Sequence, residues 1–396
     1  MRLDRVYIDG FKNLKQAEVD FNESHLTAVI IGQNGAGKSN LIEAIVDVFR
    51  FTDLNRGIPR FRYVVEYRLE GKKIRLSNLS GHPEISCDGK TISRTAFEDD
   101  RTAYFPDLVF GYYSGASRRL EQLFDSHQRR YYDQIKREED EYKCHQALLN
   151  RRLFYCRSVH GAFALAASFG FPSEKVTGLL VGKLKISGFH SALALLREPW
   201  FSKSGSASAR TFWGAEGPAG RCAADVHDAS FHPVALIDNP IDDYRSRSSN
   251  EAQLGLFLRS EESLQALASN YSNDEDMFSA LEAMDIADLV RDFHVWVKRP
   301  SDDSGEVGFS DLSDGERQLL MVLGLIRISR SKRALFLLDE PDTHLNPHWQ
   351  HTYLDLIREW TEVTSDDSRC HIIMTSHNPL TIAALRKEEV RVMSAG

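Results

Sequence analysis

The sequence predicts an α/β protein whose core is a mixed or parallel sheet, and three observations support this. Residues 32–39 read Gly-Gln-Asn-Gly-Ala-Gly-Lys-Ser and lie between an apolar run and a segment with helical spacing. Residues 334–340 form a second apolar run that ends in two carboxylates. Turn signals at Glu70-Gly71 and Asp88-Gly89 separate alternating segments, which is typical of β-hairpins. An antiparallel β subdomain therefore accompanies the core.

The segment 32–39 has the composition of a loop that holds the β-phosphate of a nucleotide. Its glycines leave room for backbone N–H groups to curl around an anion, and the helix that follows adds the positive end of its dipole. Lys38 supplies a charge for β- and γ-phosphate oxygens, and the hydroxyl of Ser39 suits Mg²⁺. We therefore expect ATP and Mg²⁺ as cofactors. The expected nucleotide contacts in this segment are Gly32, Gln33, Asn34, Gly35, Ala36, Gly37, Lys38, Ser39 and Asn40.

The apolar run that begins at Ala334 closes on Asp339 and Glu340. Because ligands bind at the carboxyl ends of parallel strands, Asp339 is expected to reach Mg²⁺, directly or through a water. Glu340 is expected to polarise the attacking water. Two adjacent acids at the end of an apolar strand are costly without such a purpose. The alternative interpretation is a strand that simply ends at a polar turn.

Two further segments near the carboxyl terminus favour contacts with phosphate. Ser313 and Gly315 stand at the start of an apolar helix, where free N–H groups and the helix dipole attract anions. An ordinary N-cap explains Ser313 equally well, because Ser, Asp and Gly favour that position anyway. The strand 371–374 leads to His377, which we predict to hydrogen-bond the γ-phosphate. A solvated histidine is the alternative there.

The composition bounds the classes of function. The chain has 396 residues, of which 42% are apolar and 27% charged, and a net charge of −8. An acidic chain does not attract nucleic acid through its overall field, although a local basic patch still can. Its five scattered cysteines predict reduced thiols and a cytoplasmic location. The longest apolar stretch, near 161–171, is too short to cross a bilayer, so we expect no membrane partner.

Residues 116–290 differ from the segments on either side. The stretch 117–157 is strongly charged and lacks β signals, and two more helical segments are predicted near 251–269 and 275–291. The Ser-, Gly- and Ala-rich stretch 202–222 predicts a loop. The predicted domains are an ATPase lobe I with the phosphate-binding loop (1–115), a mostly helical insertion (116–290) and an ATPase lobe II (291–396).

The arginines of 117–157 are interleaved with acids. For any single arginine a solvated helical face is the favoured interpretation. For the region as a whole we favour a surface that binds protein or nucleic acid, with Tyr131, Tyr132 and Tyr155 as candidate stacking partners.

The order GxxGxGKS, LSDGERQ, LLDEP and a strand ending in His resembles the ATP-binding cassette superfamily. The wide gap between the first two motifs resembles its SMC and RecF branch. The opening Ile8-Asp9-Gly10-Phe11-Lys12-Asn13-Leu14 is similar to the first strands of that branch, which adds Lys12 to the expected nucleotide-binding residues. In that family two heads sandwich two ATP molecules. The resemblance thus implies a homodimer or higher assembly, in which Ser313 and Gly315 of one subunit face the γ-phosphate held by Lys38 of the other.

A narrower resemblance is to the ATPase subunits of anti-phage defence operons, the Septu PtuA type and especially its retron-associated forms. It is carried by Gly-Tyr-Tyr-Ser-Gly (111–115) with Arg118-Arg119-Leu120, and by Asp-Glu-Pro-Asp (339–342) with His-Leu-Asn-Pro (344–347). The resemblance implies an HNH nuclease subunit as partner and, for retron forms, a reverse transcriptase with its RNA–DNA hybrid. Asn346 stands where the family often has Asp. Related ATPases usually continue further beyond His377, so truncation at the carboxyl terminus is one expectation.

These motifs together predict an ATPase switch. ATP closes two heads, hydrolysis opens them, and the insertion transmits the state to a separate nuclease, because no nuclease centre is visible in this chain. The predicted catalytic residues are Lys38, Glu340 and His377, and the predicted metal ligands are Ser39 and Asp339. The alternatives are a RecF-like DNA repair ATPase and a non-hydrolysing scaffold with ATP as a structural element.

Overall fold

The computed structural model describes residues 1–21, 25–199, 209–240, 250–300, 302–329, 332–361 and 370–394. The chain folds into two compact units, each formed by more than one segment. The first contains Met1–Gln128, Leu149–Cys156 and Ser329–Gly396, and the second contains Arg129–Leu148 and Arg157–Ile328. The predicted domain limits follow motifs rather than packing, and they stay predictions.

The strands of the described residues are, in chain order, β1 (Arg2–Asp9), β2 (Ala17–Asp20), β3 (Thr27–Ile31), β4 (Arg62–Leu69), β5 (Lys72–Ser77), β6 (Glu84–Cys87), β7 (Lys90–Ile92), β8 (Leu108–Tyr113), β9 (Leu153–Tyr155), β10 (Gly188–Arg197), β11 (Val234–Pro240), β12 (Asn250–Leu258), β13 (Val290–Arg299), β14 (Asp302–Gly308), β15 (Ala334–Asp339), β16 (Cys370–Thr375) and β17 (Val390–Val392).

The α-helices of the same residues are α1 (Lys38–Leu54), α2 (Arg94–Asp99), α3 (Arg101–Tyr104), α4 (Asp125–Ile135), α5 (Glu141–Leu149), α6 (Ser158–Gly170), α7 (Glu174–Leu179), α8 (Gly217–Ala229), α9 (Glu261–Ala268), α10 (Asp274–Ile286), α11 (Asp314–Ile328), α12 (Pro347–Thr361) and α13 (Pro379–Ala383). Short 3₁₀ or π turns add Glu121–Leu123, Leu180–Leu184, Ala209–Gly214, Phe309–Asp311 and Lys387–Glu389. Within the described residues, every helix is too short or too polar to cross a lipid bilayer.

A six-stranded parallel sheet in the order β17-β3-β16-β15-β8-β9 forms the centre of the first unit. Every residue of β15 and β16 is buried, which explains why both strands read as continuous apolar runs. The register places Asp339 beside Thr375 on one neighbour and Tyr113 on the other. Thr375 in turn pairs with Ile30, just before the glycine loop. The carboxyl edge of this sheet therefore gathers the ends of four strands.

A six-stranded antiparallel sheet, β2-β1-β4-β5-β6-β7, belongs to the same unit. The turns of two of its hairpins carry Glu70-Gly71 and Asp88-Gly89, all four with positive φ. Positive φ at both central residues is the geometry of a type I′ turn, which matches the twist of the paired strands. Both predicted hairpins are confirmed. With the parallel core, they confirm the predicted fold class, an α/β protein with an antiparallel β subdomain.

The second unit contains a five-stranded antiparallel sheet in the order β11-β12-β10-β13-β14. Helices α6 and α11 of this unit approach each other at glycines. A Cβ atom at Gly161 would lie 2.5 Å from Cγ of Met321, and one at Gly324 would lie 2.9 Å from Cβ of Ala164. Glycine is therefore required at this crossing, and it allows the apolar α11 to bury its length.

The predicted helix at 251–269 is wrong in its first half. Residues Asn250–Leu258 form strand β12, which pairs with β10 on one side and β11 on the other. Leu254, Leu256 and Leu258 are buried while Phe257 is exposed, so the sequence does alternate with period two there. Cross-strand partners on both sides stabilise this strand, and the local pattern alone does not reveal them.

The segment 116–290 is rich in helices, as predicted, but it also contributes strands β9 to β12, which we did not predict. Part of the predicted loop 202–222 is helical, since α8 begins at Gly217. The part at 202–208 lies outside the described residues.

A buried histidine joins the two sheets of the first unit. The backbone N–H of Leu3 in β1 donates to Nδ1 of His371 in β16 at 2.9 Å. His371 is completely buried, with the ring of Phe21 edge-on at 6.4 Å. Burial lowers the pKa of His371 well below its ordinary 6.5, so the ring is neutral and Nδ1 is able to accept this bond.

We predict that acid destabilises the protein through His371. Because the pKa is lowered in the folded state, the unfolded chain takes up the proton first. The stability is therefore complete above the unfolded pKa and is lost as pH falls through it. Between about pH 7.5 and about pH 5.5 the loss is on the order of 1 kcal/mol. His371→Gln keeps an acceptor for Leu3 but cannot titrate, so urea unfolding of this variant should show a smaller pH dependence by that amount. Equal pH dependence in both proteins would contradict the assignment.

Candidate active site

The glycine loop lies between β3 and α1 at the carboxyl edge of the parallel sheet. Gly37 precedes the helix with φ of 95°, and a Cβ atom there would lie 2.7 Å from Cδ2 of Leu14. A Cβ atom at Gly32 would lie 2.4 Å from the carbonyl oxygen of Met393. Only glycine fits these two positions, and the loop leaves its backbone N–H groups beside the N-terminus of α1. This is the arrangement that binds a phosphate group.

The turn after β1 braces the loop. The side-chain amide of Asn13 donates to the carbonyl of Gly35 at 2.7 Å, and that of Asn40 donates to Oδ1 of Asn13 at 2.7 Å. Asn13, which is not part of the loop, therefore stabilises the loop through its bond to Gly35. Sequence reasoning did not single it out as a site residue, although it stands next to Lys12 in the opening motif.

Lys38 is buried and bends back over the loop. Its ammonium donates to the carbonyls of Gly32 at 2.9 Å and Gln33 at 3.3 Å. Both partners are uncharged carbonyl groups, so neither of them neutralises the positive charge of the ammonium, which is available to an anion held by the loop. Its predicted role toward β- and γ-phosphate oxygens stays a prediction.

Ser39 and Asp339 are brought together from positions 300 residues apart in the chain. The hydroxyl of Ser39 donates to Oδ1 of Asp339 at 3.0 Å, and the hydroxyl of Thr375 donates to the same oxygen at 2.6 Å. The pKa of Asp339 is raised above its ordinary value, because burial outweighs the lowering by the bonds from Thr375 and Ser39 and by the charge of Arg119. Oxygen donors of this kind suit the hard cation Mg²⁺, so these residues fit the metal that the sequence implies.

Glu340 follows directly and has a left-handed backbone, with φ of 53°. Its N–H donates to the hydroxyl of Thr375 at 3.0 Å, and its Oε1 lies 3.1 Å from Nδ1 of His377. Positive φ is unusual for a residue other than glycine and costs about 1 kcal/mol or more, so tertiary contacts must hold it. The structure thus places both predicted residues, Glu340 and His377, in contact at the same edge as Ser39.

A group of charges lies beside this edge. Nε of Arg119 is 3.1 Å from Oε1 of Glu43, and its Nη2 is 3.4 Å from Oδ2 of Asp339. Lys12 forms an ion pair with the other oxygen of Glu43. Lys12, predicted as a nucleotide contact, therefore points to Glu43 in this structure. The solvated-face interpretation fails for Arg119 but describes its neighbour Arg118, which is exposed and pairs with Glu121.

Sequence reasoning missed Glu43 and Thr375 as parts of the site. Glu43 stands one helical turn after Ser39, a spacing that places both on one face of α1. Thr375 is the last residue of the apolar strand β16, which pairs in register with β15, the strand that ends in Asp339. The pairing of these two strands is the signal that identifies Thr375.

Ser313 and Gly315 lie in the second unit, at the start of α11. The hydroxyl of Ser313 donates to Oε2 of Glu316 at 2.9 Å, and the backbone N–H of Ser313 donates to the same oxygen at 2.9 Å. The N–H of Glu316 lies 3.3 Å from the Ser313 hydroxyl. This is a reciprocal capping box, so Ser313 acts here as a helix N-cap. Its predicted role toward a γ-phosphate of a second subunit stays a prediction.

Asn346, which stands where the ATP-binding cassette superfamily often has Asp, has a local structural role. Its Oδ1 accepts the N–H of Trp349 at 2.9 Å, and its carbonyl accepts the N–H of Gln350 at 2.9 Å. Asn346 is therefore the N-cap of α12, a place where Asn and Asp are equally suitable.

Asp342 links the acidic strand to the segment that carries His377. It is buried and accepts hydrogen bonds from the hydroxyls of Ser376 at 2.6 Å and Thr381 at 2.5 Å. The oxygen of Ser376 in turn accepts the N–H of Asn378 at 3.0 Å. Asp342 thus fixes the residues on both sides of His377.

Two family models match parts of this chain. The family model described as "AAA ATPase domain" matches residues 1–145, and the one described as "AAA domain, putative AbiEii toxin, Type IV TA system" matches residues 195–383. The chain is similar to AAA-type ATPases over both segments. It is also 20% identical to the "Retron Vc95 probable ATPase" of Vibrio cholerae serotype O1 biovar El Tor, over 100% of this chain and 74% of the relative.

Two solved structures are also similar. An SMC head bound to the C-winged helix domain of ScpA is 14% identical with a TM-score of 0.40, covering 98% of this chain and 96% of that chain. The recombination mediator RecF with ATP is 14% identical with a TM-score of 0.33, covering 95% and 92%.

We predict that Asp342→Ala destabilises the protein by about 2 kcal/mol, because two buried hydroxyls lose their acceptor. Asp342→Asn keeps one acceptor oxygen and is expected to lose less. Thr343→Ala is the matched control, since the hydroxyl of Thr343 is exposed and bonds within its own turn and to Ser114. Urea unfolding of the three variants measures the differences. A loss in Asp342→Ala no larger than in the Thr343 control would contradict the role of Asp342.

Proposed function

We propose that this chain is an ATP-binding and ATP-hydrolysing switch subunit of an anti-phage defence complex. The observation that carries the proposal is the contact between Ser39 and Asp339 at 3.0 Å, beside a buried lysine and next to Glu340. A glycine loop, a hydroxyl, a buried carboxylate and an adjacent second carboxylate form the set of groups that phosphoryl transfer to water requires.

In this proposal each residue has one task. The glycine loop and the ammonium of Lys38 hold the β- and γ-phosphates, and Ser39 with Asp339 holds the metal. Mg²⁺ supplies charge neutralisation at the β- and γ-phosphate oxygens when it is bound. Glu340 accepts a hydrogen bond from the attacking water, and its contact with His377 at 3.1 Å orients both groups toward the γ-phosphate.

The proposed assembly is a dimer or higher oligomer of heads. Ser313 and Gly315 stand at the N-terminus of α11, whose backbone N–H groups and dipole suit the γ-phosphate of a second subunit. In the capping box the hydroxyl of Ser313 donates to the carboxylate of Glu316. When the heads close, this hydroxyl would leave Glu316 and donate to the phosphate instead.

The defence role is supported by two similarities. The relative from Vibrio cholerae is named "Retron Vc95 probable ATPase". The description of one family model includes "putative AbiEii toxin, Type IV TA system". The resemblance to PtuA-type subunits adds an HNH nuclease as the proposed partner and, for a retron form, a reverse transcriptase with its RNA–DNA hybrid. The charged segment 117–157 is the proposed surface for such a partner or for nucleic acid.

Substitution of Glu340 tests the chemistry. Glu340→Gln is expected to bind ATP as wild type does and to lower phosphate release by about a hundredfold or more, because the water loses its acceptor. Lys38→Ala is expected to lose ATP binding. Light scattering with Mg²⁺ and ATP should show larger assemblies for Glu340→Gln and none for Lys38→Ala.

The control for this experiment is Glu18→Gln, which removes an exposed acid that pairs with Arg5 on β1. It is expected to turn over ATP at the wild-type rate. Undiminished phosphate release by purified Glu340→Gln would remove the proposed mechanism.

Expression together with the neighbouring genes tests the partner. We expect an affinity-tagged chain to co-purify with a nuclease subunit, and in a retron operon also with the reverse transcriptase and its nucleic acid. Mass spectrometry and nuclease digestion of the purified complex identify these components. Recovery of the ATPase alone from its complete operon would contradict the defence proposal but leave the ATPase proposal in place.

A further inference from the structure

The two oxygens of Asp339 have different partners. Oδ1 accepts the hydroxyls of Ser39 and Thr375, at 3.0 and 2.6 Å. Oδ2 faces the guanidinium of Arg119, with Nη2 at 3.4 Å. The arginine therefore holds the oxygen that does not contact Ser39.

Arg119 is itself held from two further directions. Its Nε lies 3.1 Å from Oε1 of Glu43, and the guanidinium carbon lies 5.2 Å from the centre of the Tyr113 ring. Glu43 is buried and lies one helical turn after Ser39, and Tyr113 pairs with Asp339 across the sheet. A planar guanidinium reaches two carboxylates and an aromatic face at once, which a lysine ammonium does not.

Arg118 provides an internal comparison. It carries the same charge one residue earlier, yet its side chain is 66% exposed and pairs with Glu121. The side chain of Arg119 is 35% exposed, and both of its carboxylate partners are buried. The contact with Asp339 therefore depends on position and not on the general charge of the segment.

We propose that Arg119 is a positioning residue for the metal carboxylate: it fixes Oδ2 of Asp339 so that Oδ1 stays turned toward Ser39, where the two oxygens hold the cation together. This inference rests on the proposed function for the identity of the metal and the nucleotide. A competing arrangement, in which the guanidinium and the cation exclude each other, is disfavoured because Arg119 lies on the oxygen that is not shared with Ser39. The two arrangements predict opposite changes in metal affinity.

The test uses the full chain and compares wild type with Arg119→Ala, Arg119→Lys and Arg118→Ala. Binding of a fluorescent ATP analogue is measured across a titration of MgCl₂, and again in EDTA. Arg119→Ala is expected to need roughly ten- to hundredfold more Mg²⁺ for half-maximal binding, the usual effect of removing the partner that orients a metal ligand. Binding in EDTA is expected to stay within about twofold of wild type, because the glycine loop and Lys38 are untouched.

Arg119→Lys is expected to fall between wild type and Arg119→Ala, and it carries the test if the alanine variant does not fold. Arg118→Ala is expected to follow wild type in both titrations. An unchanged or reduced Mg²⁺ requirement in Arg119→Ala and Arg119→Lys would overturn the proposal, and so would an equal rise in Arg118→Ala. Failure of the wild-type chain to bind the analogue at any Mg²⁺ concentration would overturn the proposed function and this inference with it. If the wild-type chain binds the analogue and the Mg²⁺ requirement changes only in the Arg119 variants, this inference is tested separately from the proposed function.

Discussion

The hydrogen bond between Ser39 and Asp339 is the constraint on which the site depends. It joins residues 300 positions apart, and it exists because β3, β16 and β15 are parallel neighbours in register. A parallel sheet places all its carboxyl ends at one edge, so the glycine loop after one strand meets the acid at the end of another. A shift in the register of β15 would move Asp339 away from Ser39.

Three buried acids near the site lie against specific donors. Asp339 has two hydroxyls and an arginine, Asp342 has two hydroxyls, and Glu43 has a lysine and an arginine. Removing a carboxylate from water is costly unless its oxygens are satisfied, and these partners offset that cost. Because the partners come from different strands and loops, the same bonds that satisfy each acid also fix its direction. The direction of the Asp339 carboxylate and the backbone on both sides of His377 are therefore fixed by these bonds.

Local patterns predicted much of the fold correctly. The two hairpins and the glycine loop depend on residues adjacent in sequence, such as Asp88-Gly89 and Gly37-Lys38. The strand Asn250–Leu258 was mistaken for a helix because its partners, β10 and β11, decide its state. Arg119 was interpreted as a solvated side chain for the same reason, since Glu43 and Asp339 are remote from it in sequence. Ser313 shows a further limit, because a helix N-cap and a phosphate contact require the same residue type.

The sequence by itself determined the phosphate-binding loop, the acidic strand end and the order of the motifs, because each is a short pattern whose chemistry is local. Only the tertiary structure decided which oxygen of Asp339 meets Ser39, that Lys12 and Arg119 share Glu43, and that Asn13 braces the loop. These contacts join elements that are distant along the chain. Strand register and side-chain packing fix such distances, and neither is encoded in any single segment.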